Sequence, residues 1–128
     1  MKKYQSNSFI KSAMHATSGL YLAFRTQKNF RKHIIIAVSI LILAFLLKAK
    51  AMEIAIIVAT NTCVLVAELI NSVIEFVMDA YYKNKYSRLC KFAKDIAAGA
   101  VLLCAISSAI IAAILLIPRL INIIKPYI

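Results

Sequence analysis

The chain is expected to fold as an all-α integral membrane protein, with an N-terminal amphipathic helix followed by three transmembrane helices. Two observations carry this expectation. First, 62% of the 128 residues are hydrophobic and the mean hydropathy is +0.82, too apolar for an ordinary soluble domain. Second, the apolar residues fall into three blocks, at about 34–47, 51–74 and 96–117, each able with its flanks to cross roughly 30 Å of hydrocarbon. The spans are placed at about 31–48, 51–80 and 95–117, within one membrane domain covering 1–128. The first 33 residues are polar and basic and lack an early apolar run, so no cleaved signal peptide is expected.

Residues 8–24 set Phe9, Ala13, Ala16, Leu20 and Phe24 on one helical face, with Lys11, His15 and Ser18 on another. This pattern predicts a helix, over about 8–30, lying on the membrane surface, with Lys11 as a candidate supporting residue on its polar face. A simple anchor would show the same pattern. KAK at 48–50 predicts a tight turn, and the segment 81–95 a longer connection with Tyr81 and Tyr82 as interfacial anchors. Pro118 is expected to end the last span.

The net charge of +11 raises the question of nucleic acid, but its distribution points to the membrane. Seven Lys and Arg precede the first span and five lie between the second and third, against two in the first loop and two after the last span. Such asymmetry places the N-terminus and the second loop in the cytoplasm. Most of this charge then serves topology and attraction to anionic lipid. Cys63, Cys90 and Cys104 show neither a disulfide framework nor metal-ligand spacing, and read as small apolar fillers.

The chemistry is concentrated in AELINSVIEFVMDA, residues 67–80. On a helix, Glu68, Asn71, Glu75 and Asp79 fall within an arc of roughly 80°. Counting from Glu53 at the far boundary, Glu68 lies about 22 Å across and the stripe continues to the membrane edge. A charged carboxylate at that depth costs on the order of 3 kcal/mol, which favours function over packing. A polar clamp between helices is the bland alternative, and Asn71 alone would serve it. A carboxylate inside the bilayer can accept a proton, and acids at the surface can hold a hydrated divalent cation. Lys94 and Asp95 add a cation and an acid at the same level. Lysine, carboxylates and Mg²⁺ are the parts that orient and neutralise a nucleoside triphosphate. Gly19 and Gly99 are the only glycines, so no glycine-rich phosphate loop is present.

AELINSVIEFVMD followed by AKDIAAGAVLL, with GLYLAFRTQKNFRKH upstream, closely resembles the prokaryotic diacylglycerol kinase and undecaprenol kinase family over about residues 8–117. The resemblance implies a surface helix plus three transmembrane helices, a homotrimer with active sites at subunit contacts, and Mg²⁺-dependent transfer of the ATP γ-phosphoryl group to a lipid hydroxyl. It implies Glu68 as general base, Glu75 as metal ligand, and Asn71 and Asp79 in supporting roles. It further implies Lys94, Asp95 and Tyr86, with Glu75 and Gln27, around the nucleotide. Two departures stand out. Gln27 occupies a position where many members carry a second metal-binding acid, which implies weaker metal binding or a rearranged site. Lys85-Tyr86-Ser87 replaces the acid, aromatic and His of the diacylglycerol kinase pattern. AKDIAAGAVLL looks more like the undecaprenol kinase branch, which favours undecaprenol over diacylglycerol. The competing readings are a non-enzymatic ion or proton conductor built on the acidic stripe, and a family member inactivated through Gln27.

Overall fold

The computed structural model describes residues 9–83 and 85–125. These form four helices, α1 (Phe9–Thr26), α2 (Lys28–Leu46), α3 (Ala51–Tyr82) and α4 (Arg88–Ile124), with no strand among the described residues. Three of them, α2, α3 and α4, are long and apolar enough to cross a membrane.

The break between α1 and α2 falls at Gln27, earlier than the expected 30/31 junction, so Lys28, Asn29 and Phe30 belong to the spanning helix. Gln27 is extended, with φ −95° and ψ 108°. Arg31 stabilises the corner: its Nη1 donates to the carbonyls of Phe24 and Arg25 at 3.0 and 2.9 Å, placing a cation where α1 leaves its last carbonyls unpaired.

The α2–α3 turn is tight, as KAK predicts, and its backbone closes by a Schellman pattern. Ala49 N–H donates to the Ala44 carbonyl at 2.9 Å and Lys48 N–H to Phe45 at 3.0 Å, while Lys48 takes the left-handed conformation at φ 53°. The Glu53 carboxylate then accepts from Lys50 N–H at 2.6 Å and caps the start of α3. Lys83, also left-handed at φ 47°, ends α3, and Ser87 caps α4.

Pro118 does not end α4. The helix runs through it to Ile124, and it begins at Arg88 rather than near 95. Proline removes one backbone donor and crowds the preceding turn. The next residue holds the helix in place, because Arg119 donates to the Lys48 carbonyl at 2.9 Å and pairs with Glu53 at 2.6 Å.

The helix α3 is the centre of the bundle, with α2 and α4 each packed on it more extensively than on one another. At the α2–α3 turn this packing is apolar: Ala44, Leu47, Ile57 and Leu116 form a buried cluster in which Ile57 is only 1% exposed. Toward the other end, α3 instead buries Asn61, Glu68, Asn71 and Ser72. Outward-facing Ile35, Leu46, Leu103 and Ile114 are exposed, as suits a bundle solvated by lipid or by further subunits. Helices of 32 and 37 residues measure about 48 and 55 Å, so the ends of α3 and α4 that flank their connection outrun a hydrocarbon core of roughly 30 Å.

Candidate active site

The acidic stripe starts in the bundle interior, where Glu68 and Asn71 are buried, and emerges toward the end of α3, where Glu75 and Asp79 are partly exposed. Glu68 is 3% exposed and Asn71 5%. The Glu68 carboxyl receives no hydrogen bond from another described side chain, and its titratable neighbours are His33 of α2 and Glu75. Ser72 Oγ donates to the Glu68 backbone carbonyl at 2.9 Å and so spends its proton locally. No described side chain therefore donates a hydrogen bond to the Glu68 carboxyl oxygens.

One turn further, Asn71 Nδ2 donates to Glu75 Oε1 at 3.2 Å, while Asn71 Oδ1 is buried without a partner among the described residues. An unspent amide oxygen beside a partly exposed carboxylate is an all-oxygen donor pair suited to a hard cation. Asn71 and Glu75 therefore offer neighbouring oxygens of the kind a hard cation takes. Among the described residues no three His, Cys, Asp or Glu side chains gather into a metal cluster. A protein-only cage is not what this end of the molecule offers.

Beyond Glu75 the stripe meets α4. Lys94 Nζ pairs with Asp79 Oδ1 at 2.5 Å, across fifteen residues of chain. Beside this pair a cavity of about 380 Å³ opens between the end of α3 and the start of α4, a size usual for small-molecule sites. Four residues singled out from the sequence line it together: Asp79, Tyr86, Lys94 and Asp95. The cavity also takes in Lys85, Ser87 and Lys91, which sequence reasoning left among the topological charges. Their signal was available in part, since Lys91 stands one turn before Lys94 on the same helix.

Five predicted residues lie apart from this wall: Glu68, Asn71 and Glu75 further along α3, and two that precede α2. Gln27 sits at the α1–α2 corner, partly buried, with no side-chain cap bond. Lys11 is exposed on α1. Neither lines the cavity.

A bundle of three helices able to span a membrane, with a buried carboxylate on the same helix as a cavity lined by three lysines and two aspartates, describes a helical membrane protein with a charged pocket at one end. The comparisons with known proteins agree with that class. The model of the prokaryotic diacylglycerol kinase family matches residues 14–116. The chain belongs to this family. It is 40% identical over 111 residues to a diacylglycerol kinase of Synechocystis sp., covering 87% of this chain and 63% of that protein, so it spans somewhat under two thirds of that relative's length. It is 38% identical over 114 residues to an undecaprenol kinase of Bacillus subtilis, covering 89% and 92% of the two chains. A diacylglycerol kinase of Pseudomonas aeruginosa is 31% identical over 101 residues, covering 76% of this chain and 81% of that protein.

Proposed function

We propose that the protein is a lipid kinase that transfers the γ-phosphoryl group of ATP to the hydroxyl of a long-chain membrane alcohol. The observation that carries this reading is the layout along α3, where a buried carboxylate, an oxygen donor pair and a cation-lined cavity follow one another on a single face. Family membership supports the reaction class, and relatives named for diacylglycerol and for undecaprenol support a lipid acceptor.

In this reading the adenine and ribose of ATP occupy the cavity beside Tyr86, while Lys94, Lys85 and Lys91 neutralise its phosphates. Bound Mg²⁺ would supply charge neutralisation at the phosphate oxygens. Glu68 takes the proton of the lipid hydroxyl, the lipid oxygen forms a bond to the γ-phosphorus, and the bond from that phosphorus to the β–γ bridging oxygen breaks. The products are phosphorylated lipid, ADP and a proton held by Glu68 until water removes it. Asp79 holds Lys94 toward the phosphates, and burial of Glu68 keeps water from competing as the acceptor.

The charge asymmetry supports a cytoplasmic N-terminus and α3–α4 connection, and hence a cytoplasmic nucleotide, and the bacterial relatives support the inner membrane of such a cell. A homotrimer, implied by the family resemblance, would enclose a site that three spans alone leave open. The conductor reading needs a polar path through the whole bilayer. The apolar cluster around Ile57 interrupts the stripe before it reaches the α2–α3 turn, which favours a one-sided site. Undecaprenol, favoured by one motif, and diacylglycerol are both offered in the test: transfer of label from ATP to each lipid in micelles, with Mg²⁺ present or chelated. Metal-dependent product that disappears in Glu68→Gln is the expected result; absence of product with either lipid would refute the kinase.

A further inference from the structure

A second cavity, of about 200 Å³, lies between α2, α3 and α4 on the α2–α3 turn side of Glu68. Its walls are mostly apolar, yet His33, Asn61 and Ser108 reach it from the three helices. Asn61 is 7% exposed. Ser108 Oγ donates to Asn61 Oδ1 at 3.1 Å, while Asn61 Nδ2 is buried without a hydrogen-bond partner among the described residues. Thr60 Oγ1 donates to the Ile57 carbonyl at 3.1 Å and lies 3.4 Å from Ser108 Oγ, and it makes no bond to the Asn61 amide. A buried amide donor is costly to leave unpaired, and in this arrangement neither His33 nor Ser108, the other polar residues of the cavity, accepts from it. The group is positioned to meet an oxygen acceptor that arrives from outside the chain.

We propose that Asn61 is a specificity-determining residue that donates its Nδ2 proton to an ester carbonyl of a glycerolipid acceptor. The proposal rests on the lipid-kinase reading and names the class of lipid. Asn61 precedes Glu68 by seven residues, which places it on the same face of α3. The two Cα atoms are therefore about 10 Å apart along the helix axis. A lipid hydroxyl at Glu68 and an ester carbonyl at Asn61, each at a hydrogen-bond distance of about 2.8 Å, span that interval with the few bonds that separate these groups in diacylglycerol. A polyprenol has no oxygen besides its hydroxyl, and so leaves the Asn61 donor unpaired. The hydrocarbon has a continuation: an apolar groove of about 180 Å³, lined by Ile40, Leu43, Leu47, Ala112 and Leu116 among others, shares Ile40 with the polar cavity.

The test compares wild type with Asn61→Leu, which keeps the volume and removes the donor. Kinetics are measured on dioctanoylglycerol and on undecaprenol in the same micelles. The expected result is a loss in kcat/KM of about tenfold for dioctanoylglycerol, carried by KM and equivalent to about 1.4 kcal/mol. Undecaprenol and ATP kinetics should stay within about twofold. Ser108→Ala, which frees the amide to rotate, should move dioctanoylglycerol in the same direction by about threefold, and serves if the leucine variant folds poorly. A second readout does not depend on turnover: infrared spectra of one equivalent of dioctanoylglycerol with isotope-labelled ester carbonyls should show a hydrogen-bonded carbonyl band with wild type that is lost in Asn61→Leu. Equal losses for both lipids, no loss for either, or use of undecaprenol alone would overturn the proposal. If wild type transfers phosphate to neither lipid, the kinase reading fails, and the carbonyl band alone then upholds or overturns the assignment of Asn61.

Discussion

At the α2–α3 turn, Arg119 of α4 bridges Glu53 and the Lys48 carbonyl; at the opposite end, Lys94 of α4 meets Asp79. Both are acid–base pairs joining α3 to α4, but their surroundings differ. The Glu53–Arg119 side chains are each 22% exposed and stand next to a dry apolar cluster, so the pair works as a clasp. The Asp79–Lys94 side chains are 47% and 33% exposed and border a 380 Å³ cavity with two further lysines. A cation whose partner is half-open to solvent can exchange that partner for a phosphate, whereas a clasped arginine cannot do so without undoing the turn. The same pairing is thus structural at one end and available for chemistry at the other.

Substitutions at the two ends should separate these roles. The largest effect is expected between them, at Glu68: Glu68→Gln should lower kcat for lipid phosphorylation by about 10²- to 10⁴-fold, as removal of a general base does, with nucleotide binding retained. A combined transfer assay and ATP titration checks both halves, and an active glutamine variant would remove Glu68 from the reaction. Lys94→Met should come next, raising KM for ATP by roughly tenfold or more while thermal stability changes little, because the partner it loses is largely hydrated.

At the clasp the order is reversed. Arg119→Leu should lower the thermal stability of the folded protein, through loss of the Glu53 pair and of the bond to the Lys48 carbonyl, with KM for ATP unchanged. An altered ATP KM in that variant would erase the contrast between the two ends. The smallest effect belongs to Lys48→Gly, which relieves a left-handed side chain and should stabilise by roughly 0.5–1 kcal/mol in denaturant titrations.

Much of the fold was legible because its signals are local or periodic. Apolar runs of spanning length announce three helices, and steps of three and four residues announce one acidic face. Where the reading missed, a longer-range contact decided. Pro118 signals a helix end by its own stereochemistry, yet Arg119 reaches Lys48 and Glu53 and carries the helix past it. Gln27 was read for its amide and not as a backbone break, since the Arg31 contacts that stabilise the corner involve main-chain carbonyls that carry no residue signature. Asn61 received no role from the sequence. Its seven-residue offset from Glu68 was visible, but the Ser108 contact that orients it joins residues 47 apart.

The sequence by itself determined the membrane class, the three spans and the face of α3 on which the carboxylates stand, since hydropathy and helical period depend only on residue order. Only the tertiary structure decided which acid meets which base, where the cavities open, and which polar atoms remain without a partner. Those outcomes depend on how α2 and α4 are set against α3, and small axial shifts between packed helices change the pairings without changing the hydrophobic pattern.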